Sequence, residues 1–304
     1  MPSNKSATKP KSNPLSWEWS FDAIGTQWWI GVYEPIQLDG AALQHKIARL
    51  IDDFDDTFSR FRAGSLVTRM FERAGAYKLP AYAAPMINLY QRLYDLTDGQ
   101  VTPLVGQLLS DAGYDSTYSL EPKSQLKAVP SWEETLSVEE NNVLRVKQPV
   151  LLDFGAAGKG FLVDLVSDLL RLEGLQKFCV DAGGDMYVYG LGAPLKIGLE
   201  NPNDSSQVIG VADLEQGALC GSAPNRRAWG RYHHIMDPAA RKSTETLSAV
   251  WVQADSALLA DGLATALFFA DPGLLRKHFE FAYALVYADG SLRYSQNFSA
   301  EFFN

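Results

Sequence analysis

Cysteine is scarce in this sequence, which has only Cys179 and Cys220 among its 304 residues. Two cysteines are too few for a disulfide framework, and they lack the paired spacing of a zinc site. The simplest interpretation is two thiols that stay reduced in a cytoplasm. We therefore expect neither a disulfide network nor a structural zinc ion to hold the fold together.

Long apolar runs are absent as well. No segment approaches the roughly 20 apolar residues of a membrane-spanning helix. Residues 1–14 are rich in Ser, Lys, Pro and Asn, with no hydrophobic segment behind their positive charges. This pattern predicts a disordered N-terminal tail over residues 1–14, no export signal, no membrane span and a cytoplasmic location.

An excess of positive charge is also missing. Lys and Arg together number 27 against 36 Asp and Glu, which gives a formal net charge of −9. Such a chain has no general attraction to nucleic acid or to anionic lipid. Any anionic ligand must therefore be held by a local device, such as a bound cation, a helix N-terminus or a glycine turn.

The composition that remains is that of an ordinary globular protein, with 46% hydrophobic and 21% charged residues. Hydrophobic periodicity predicts strands at 17–21, 27–33, 143–146, 150–154, 178–180, 186–189, 195–199, 208–214, 247–252, 282–288 and 292–296. It predicts helices at 41–58, 66–72, 81–98, 103–112, 161–170 and 256–269, with residues 115–141 as a long surface connection. Because strands and helices do not alternate strictly, an α+β fold is favoured over a doubly wound sheet.

A loop of small residues, Gly155-Ala156-Ala157-Gly158-Lys159-Gly160, precedes the predicted helix at 161–170. A strand, a glycine-rich turn and a helix in this order present backbone N–H groups to an anion. The loop is not a nucleotide P-loop, which needs Lys and then Ser or Thr after its last glycine. The alternative is a tight connection without a ligand, but Lys159 favours a nearby negative group.

Two later segments carry further candidates. Asp185 follows Gly183-Gly184, where the chain either approaches a ligand closely or simply turns between two strands. His233 and His234 are adjacent, and neighbours on a strand point to opposite faces, so they do not suit a shared metal. One of them is a candidate proton acceptor near pH 7. Asp237 either orients that histidine or belongs to a local turn before Pro238.

The predicted helix at 256–269 carries a carboxylate and a hydroxyl on one face. Asp261 and Thr265 are four residues apart, and the rest of this helix is almost entirely small or apolar. Together they suit Mg²⁺, which binds one or two protein oxygens plus ligand phosphate and water. The alternative is a buried aspartate that is satisfied by the local backbone or by Ser256.

Taken in order, these segments resemble the FAD:protein FMN transferase family, ApbE. The matching segments are Ile24-Gly25-Thr26; Phe58-Ser59-Arg60-Phe61 with Ser65; Asp153-Phe154-Gly155-Ala156-Ala157-Gly158-Lys159-Gly160 with Asp164; Asp181-Ala182-Gly183-Gly184-Asp185; His233-His234-Ile235-Met236-Asp237-Pro238; and Ala260-Asp261-Gly262-Leu263-Ala264-Thr265-Ala266. Each segment is a weak signal alone, but six in the family's order are a much stronger one.

The resemblance implies a fold and an activity. The fold would be α+β and T-fold-like, with mixed sheets, packed helices and a flavin cleft between two interleaved lobes of a single domain over residues 15–304. The activity would be protein flavinylation, a Mg²⁺-dependent transfer of FMN from the substrate FAD to a threonine hydroxyl of an acceptor protein. The leaving group would be AMP.

The resemblance also implies roles for individual residues. By motif, the metal ligands would be Asp261, Thr265 and the main-chain carbonyl of Gly158. His234 matches the family histidine proposed as the base for the acceptor threonine. Positions near the flavin or its diphosphate correspond to Thr26, Ser59, Lys159, Gly183, Gly184 and Asp185.

Three segments depart from the family pattern and predict a divergent branch. Thr102 and Leu104 stand in Val101-Thr102-Pro103-Leu104, where the family usually has Phe-Asp-Pro-Thr. Cys220-Gly221-Ser222 replaces Thr-Ser-Gly, and Pro238-Ala239-Ala240-Arg241 replaces Pro-Arg-Thr-Gly. Two alternatives therefore stay open: a flavin-binding protein without transfer activity, and a metal-dependent hydrolase that cleaves FAD to FMN and AMP.

Overall fold

The computed structural model describes residues 15–37 and 39–303. The predicted tail at residues 1–14 lies outside this described part. Within it, no helix has both the length and the apolar character needed to cross a membrane. Cys179 and Cys220 are both free thiols and both buried.

The helices follow the predicted periodicity closely, and side-chain caps fix several of their starts. The Asp39 carboxylate accepts the N–H of Ala41 at 2.9 Å, and Ser65 Oγ accepts the N–H of Thr68 at 3.1 Å. The helices are α1 (Gly40–Phe58), α2 (Leu66–Glu72), α3 (Ala84–Leu96), α4 (Gly106–Asp111), α5 (Trp132–Thr135), α6 (Gly158–Leu172), α7 (Ala257–Ala266) and α8 (Pro272–Leu275).

The strands dominate the second half of the chain. They are β1 (Trp17–Ala23), β2 (Thr26–Val32), β3 (Gly75–Lys78), β4 (Leu136–Glu139), β5 (Val143–Val146), β6 (Phe178–Ala182), β7 (Met186–Tyr189), β8 (Leu195–Asn201), β9 (Asp204–Leu214), β10 (Gly217–Ser222), β11 (Ala228–Trp229), β12 (Tyr232–His233), β13 (Met236–Asp237), β14 (Lys242–Ser243), β15 (Leu247–Ala254), β16 (Ala282–Tyr287), β17 (Leu292–Tyr294) and β18 (Ala300–Phe302).

The main sheet has the order β1-β2-β6-β7-β10-β15-β16-β17 in the described chain, and its neighbouring strands are antiparallel. Its register pairs Trp28 with Ala182, Asp181 with Met186, and Met186 with Leu219. The β1–β2 turn, the β6–β7 turn and the end of β10 therefore lie at the same end of the sheet. Smaller sheets have the orders β18-β9-β8, β3-β5-β4, β11-β12 and β13-β14.

The two faces of the main sheet bury different layers. On β6, Phe178, Val180 and Ala182 belong to a core shared with the helices, whereas Cys179 belongs to a core shared with β8 and β9. This alternation is the period-two pattern of a strand that is buried on both faces. Helices α6 and α7 pack against each other and against the sheet on the first face. They run antiparallel, because Ala257 at the start of α7 meets Asp164 within α6, and Thr265 near the end of α7 meets Ala156 just before α6. The N-terminal end of α6 and the C-terminal end of α7 therefore lie toward the sheet end that carries the turns.

Several details of the strand prediction are wrong. Residues 150–154 form no strand, because the N–H of Val150 bonds to the carbonyl of Met70 and the N–H of Asp153 to that of Pro103. The predicted connection at 115–141 contains α5 and β4 at its C-terminal end. Strand β10 is rich in small residues and has no β-branched pattern, so the sequence does not predict it. The sequence also does not predict β3, β18 and the two-residue strands β11 to β14. The α+β class itself is confirmed.

Candidate active site

Two tight turns bring small residues together at one end of the main sheet. Ile24 and Gly25 have φ values of 42° and 76°, and Gly183 and Gly184 have φ values of 67° and 102°. A Cβ atom at Gly183 would lie 2.1 Å from Thr26 Oγ1. The position therefore needs glycine both for its positive φ and for the close approach of the Thr26 hydroxyl. Thr26, Gly183 and Gly184 all line the same cavity.

The first part of the site is the helix junction, which we define as Gly158, Gly160, Asp164, Asp261 and Thr265. The N–H of Gly160 donates to Asp261 Oδ2 at 2.8 Å, and a Cβ atom at Gly160 would lie 2.1 Å from the carbonyl oxygen of Ala257. Helices α6 and α7 can approach this closely only because position 160 has no side chain.

Asp164 holds the same two helices together from the other direction. Its carboxylate oxygens accept the N–H groups of Ala257 and Leu258, both at 2.8 Å, and so cap the start of α7. Burial raises the pKa of Asp164 to about 6, although these two hydrogen bonds oppose the shift. Hydrogen bonds therefore join α6 and α7 at two places, from Gly160 to Asp261 and from Ala257 and Leu258 to Asp164.

The metal ligands predicted on α7 face the loop before α6. Asp261 is 4% exposed, and burial raises the pKa of its carboxyl group. Thr265 Oγ1 donates to the carbonyl of Ala156 at 3.4 Å, so the carbonyl beside Thr265 belongs to Ala156, two residues before Gly158. No cluster of three or more His, Cys, Asp or Glu side chains suited to a metal ion occurs in residues 15–37 and 39–303. A cation here would need hydroxyl and carbonyl oxygens beside its carboxylate.

Lys159 and Asp185 form an ion pair between α6 and the β6–β7 turn. Asp185 is fully buried, and its Oδ1 also accepts the N–H of Gly221 at 3.2 Å. Lys159 lines the cavity but Asp185 does not. The predicted ligand contact at Asp185 would therefore act through Lys159 and Gly221, which its carboxylate fixes in place.

The two adjacent histidines have different surroundings. His233 Nε2 lies 2.7 Å from the carbonyl of Thr244, and its Nδ1 accepts the N–H of Ile235 at 3.2 Å. His234 Nδ1 is buried without a hydrogen-bond partner in the described part of the chain, and His234 lines the cavity. Burial, and then the charge of Arg227, lower the pKa of His234 to about 3. Its imidazole is therefore neutral near pH 7.

The second part of the site is the arginine–aromatic wall, which we define as Arg60, Phe61, Tyr114, Arg227 and Trp229. Arg60 Nε pairs with Asp153 Oδ2 at 2.5 Å, and its guanidinium carbon lies 4.1 Å from the ring centroid of Phe61. Tyr114 stacks on Trp229 with ring centroids 5.5 Å apart. Sequence reasoning quoted Arg60 and Phe61 within a motif but gave them no role, and it missed Tyr114, Arg227 and Trp229.

The positions that depart from the family pattern are engaged in local structure. Thr102 Oγ1 accepts the N–H of Leu104 at 3.2 Å, and both residues are buried. Cys220 Sγ donates to the carbonyl of Ala257 at 3.6 Å. The exposed Ala239 donates its N–H to Asp237 Oδ1 at 2.8 Å. The changed segments keep the backbone groups of the site in place.

One cavity of about 1530 Å³ connects both parts of the site. The predicted residues that line it are Thr26, Ser59, Gly158, Lys159, Gly183, Gly184, His234, Asp261 and Thr265. Ser59 lies where α1 ends, and its Oγ accepts the N–H of Phe61 at 3.3 Å. The cavity therefore gathers every predicted site residue along its wall except the buried Asp185.

Comparison with known proteins identifies relatives of this arrangement. The ApbE family model matches residues 24–283. An FAD:protein FMN transferase of Vibrio cholerae is 27% identical over 258 residues, which cover 78% of this chain and 75% of that protein. The solved flavin transferase ApbE from Vibrio cholerae superposes with a TM-score of 0.77 at 25% identity, over 93% of this chain and 97% of that one. The ApbE protein of Thermotoga maritima gives a TM-score of 0.76 at 25% identity, over 92% and 97% of the two chains.

Proposed function

The chain belongs to the ApbE family, and from that premise we propose that it is a flavin transferase that modifies an acceptor protein. The substrate is FAD, the group transferred is FMN, and the acceptor atom is a threonine hydroxyl oxygen. AMP is released. The reaction depends on Mg²⁺.

One observation carries this proposal. A glycine turn, a helix N-terminus, a buried carboxylate and a neutral histidine line a single cavity of about 1530 Å³. Each of these elements suits phosphoryl transfer, which gains most from alignment and from neutralised charge. Their convergence from segments far apart in the chain supports a shared substrate rather than separate structural roles.

The residues of the helix junction fit a magnesium ion. Asp261 is a buried carboxylate that accepts the backbone N–H of Gly160, and burial raises its pKa. A cation would offset that unfavourable burial. The Thr265 hydroxyl and the carbonyls of Ala156 and Gly158 would supply the other protein oxygens. When bound, Mg²⁺ neutralises charge on the transferred phosphoryl group.

His234 is proposed to take the proton of the acceptor threonine. Its Nδ1 is buried without a partner in the described residues, so Nε2 would be the atom that takes the proton. A pKa of about 3 keeps the ring neutral at pH 7, and the negative charge of a bound diphosphate would raise that pKa towards the range in which a general base works best. Lys159 and the N–H groups of the glycine turn would orient the diphosphate, so that the threonine oxygen attacks phosphorus in line with the bond to AMP.

The experiment is an incubation of the protein with FAD, Mg²⁺ and a candidate acceptor protein. Covalent flavin fluorescence is measured on the denatured acceptor, and AMP is measured in solution. Transfer gives both signals, hydrolysis of FAD gives AMP alone, and simple binding gives neither.

Two histidine variants make the assay specific to the site. We expect His234→Gln to lower the transfer rate at least about 100-fold, the usual contribution of a general base. His45→Gln removes an imidazole from the exposed face of α1 and is expected to leave the rate unchanged. Equal rates in both variants would contradict the role of His234.

A further inference from the structure

The cationic side chains that line the cavity differ in whether they form an ion pair with a carboxylate. Arg60 pairs with Asp153, Lys159 with Asp185, and Arg226 with Glu200. Arg62 pairs with carboxylates of α1, at distances from 2.6 to 3.4 Å. Among the cations lining the cavity in residues 15–37 and 39–303, Arg227 is the one with no carboxylate at ion-pair distance.

Arg227 and Arg60 lie against the same aromatic ring. The guanidinium carbon of Arg60 is 4.9 Å from the ring centroid of Tyr114, and that of Arg227 is 6.0 Å from it. The Arg60 side chain is only 2% exposed, and its Nη2 has no hydrogen-bond partner in the described residues. A buried donor without a partner is unfavourable, so this position is suited to an oxygen atom of a ligand.

The local charge balance also favours an anion here. Both carboxylate oxygens of Asp153 already have partners: Oδ2 pairs with Arg60, and Oδ1 accepts the N–H of Gly155 at 2.7 Å. Asp153 is therefore occupied by Arg60 and by the backbone, and no carboxylate in the described residues forms an ion pair with Arg227. In a chain with a net charge of −9, an uncompensated arginine inside a cavity is an informative exception. Planar guanidinium groups match the oxygens of phosphate better than any other side chain does.

We propose that Arg227, together with Nη2 of Arg60, binds the phosphate of the AMP half of the substrate. This inference rests on the proposed function. In the transfer, the threonine oxygen forms a bond to the phosphorus of FMN, and the bond from that phosphorus to the AMP oxygen breaks. The electron pair stays on AMP, whose phosphate gains one negative charge, while the threonine proton goes to His234. Arg227 offsets the new charge on the leaving group.

The inference is tested by binding rather than by turnover. AMP and adenosine are titrated into the wild-type protein, once with Mg²⁺ and once with a chelator, and dissociation constants are compared. We expect AMP to bind at least about 10-fold more tightly than adenosine under both conditions, because guanidinium groups recognise phosphate without a metal. Equal affinity for AMP and adenosine in the chelator would overturn the inference.

Variants then locate the phosphate contact. Arg227→Gln is expected to weaken AMP binding about 10-fold and leave adenosine binding unchanged, and Arg60→Lys, which keeps the ion pair with Asp153, to weaken it less. Arg231→Gln removes the same charge from an exposed residue that does not line the cavity, and is the matched control. Unchanged AMP affinity in Arg227→Gln would refute the assignment.

The two proposals fail in distinguishable ways. A wild-type protein that recognises the AMP phosphate through Arg227 but gives no flavinylated acceptor refutes transfer and leaves the anion site standing. A protein that transfers FMN at equal rates with Arg227 or Gln at this position supports the activity and rejects the role of Arg227.

Discussion

The helix junction and the arginine–aromatic wall lie on one cavity but differ in how their polar groups are satisfied. In the junction, Asp164 accepts two backbone N–H groups and Asp261 accepts another. In the wall, Arg60 Nη2 has no partner in the described residues, and neither has Nδ1 of the adjoining His234, whose backbone N–H bonds to the carbonyl of Arg227. Satisfied polar networks rigidify a fold, whereas unsatisfied donors retain capacity to bind. Backbone hydrogen bonds therefore preform the junction, which a cation would complete at Asp261, whereas the wall leaves a donor that a ligand oxygen could satisfy.

The largest effect is expected from a change that removes the negative charge of Asp261 but keeps its hydrogen bond with the N–H of Gly160. Asp261→Asn keeps an oxygen that can accept the N–H of Gly160 but cannot neutralise a cation. We expect the transfer rate to fall at least about 1000-fold, equivalent to about 4 kcal/mol of transition-state stabilisation. The rate is measured over a range of Mg²⁺ concentrations, and the free energy of unfolding in denaturant.

The unfolding measurement separates chemistry from stability. Because burial raises the pKa of Asp261, the neutral amide is expected to leave the free energy of unfolding unchanged or slightly higher. Asp255→Asn changes an exposed carboxylate just before α7 and is the matched control. Transfer at the wild-type rate in Asp261→Asn would show that no cation is held at this position.

The next test adds a methyl group to the junction. In Gly160→Ala the new Cβ would lie 2.1 Å from the Ala257 carbonyl oxygen and 2.7 Å from Asp261 Cβ. We expect the free energy of unfolding to fall by about 2–3 kcal/mol as α6 and α7 move apart, with loss of transfer. Gly75→Ala is the control, since its Cβ would make an ordinary 3.6 Å contact with Tyr77. Equal stability of the two variants would mean that the junction is not tightly packed.

A third test uses pH to probe His234, which lines the cavity next to Arg227 of the wall. The pKa of His234 is about 3 in the folded protein and about 6.5 in an unfolded chain. Between these values the unfolded chain binds the proton and the folded protein does not, so stability falls as pH decreases from 6.5. The contribution is up to about 1.4 kcal/mol per pH unit, and it is fully present above pH 6.5.

The measurement is the difference in unfolding free energy between wild type and His234→Gln from pH 7 to pH 4.5. Taking a difference matters, because burial raises the pKa of Asp164 to about 6 and gives a slope of opposite sign. His45→Gln serves as the control for losing an imidazole. A histidine resonance of His234 that titrates near pH 6.5 in NMR spectra would contradict the prediction.

The same contrast explains what the sequence could predict. Helix and strand periods predicted most elements, and helical spacing placed Asp261 and Thr265 on one face of a helix. The resemblance alone associated them with Gly158, and neither predicted the contact of Gly160 with α7 or the cap that Asp164 makes. The helix at 66–72, for example, begins where Ser65 predicts a cap. The wall was not visible, because Arg60, Tyr114 and Arg227 meet only after α4 and the segment around Trp229 form their own small core. No local pattern relates these positions, so only the tertiary structure brings their charges together.

The smallest expected effect concerns the two side chains that cap the start of α7, Ser256 and Asp164. Ser256 Oγ accepts the N–H of Leu259 at 3.3 Å, whereas Asp164 accepts two N–H groups at 2.8 Å. Ser256→Ala is therefore expected to lower the free energy of unfolding by only about 0.5–1 kcal/mol, with the transfer rate within about 2-fold of wild type. Asp164→Ala removes both stronger bonds and is expected to lower it by about 2 kcal/mol or more. If the serine variant proved the more damaging in a denaturant titration, α7 would depend on its own cap, and α6 would not be what positions Asp261.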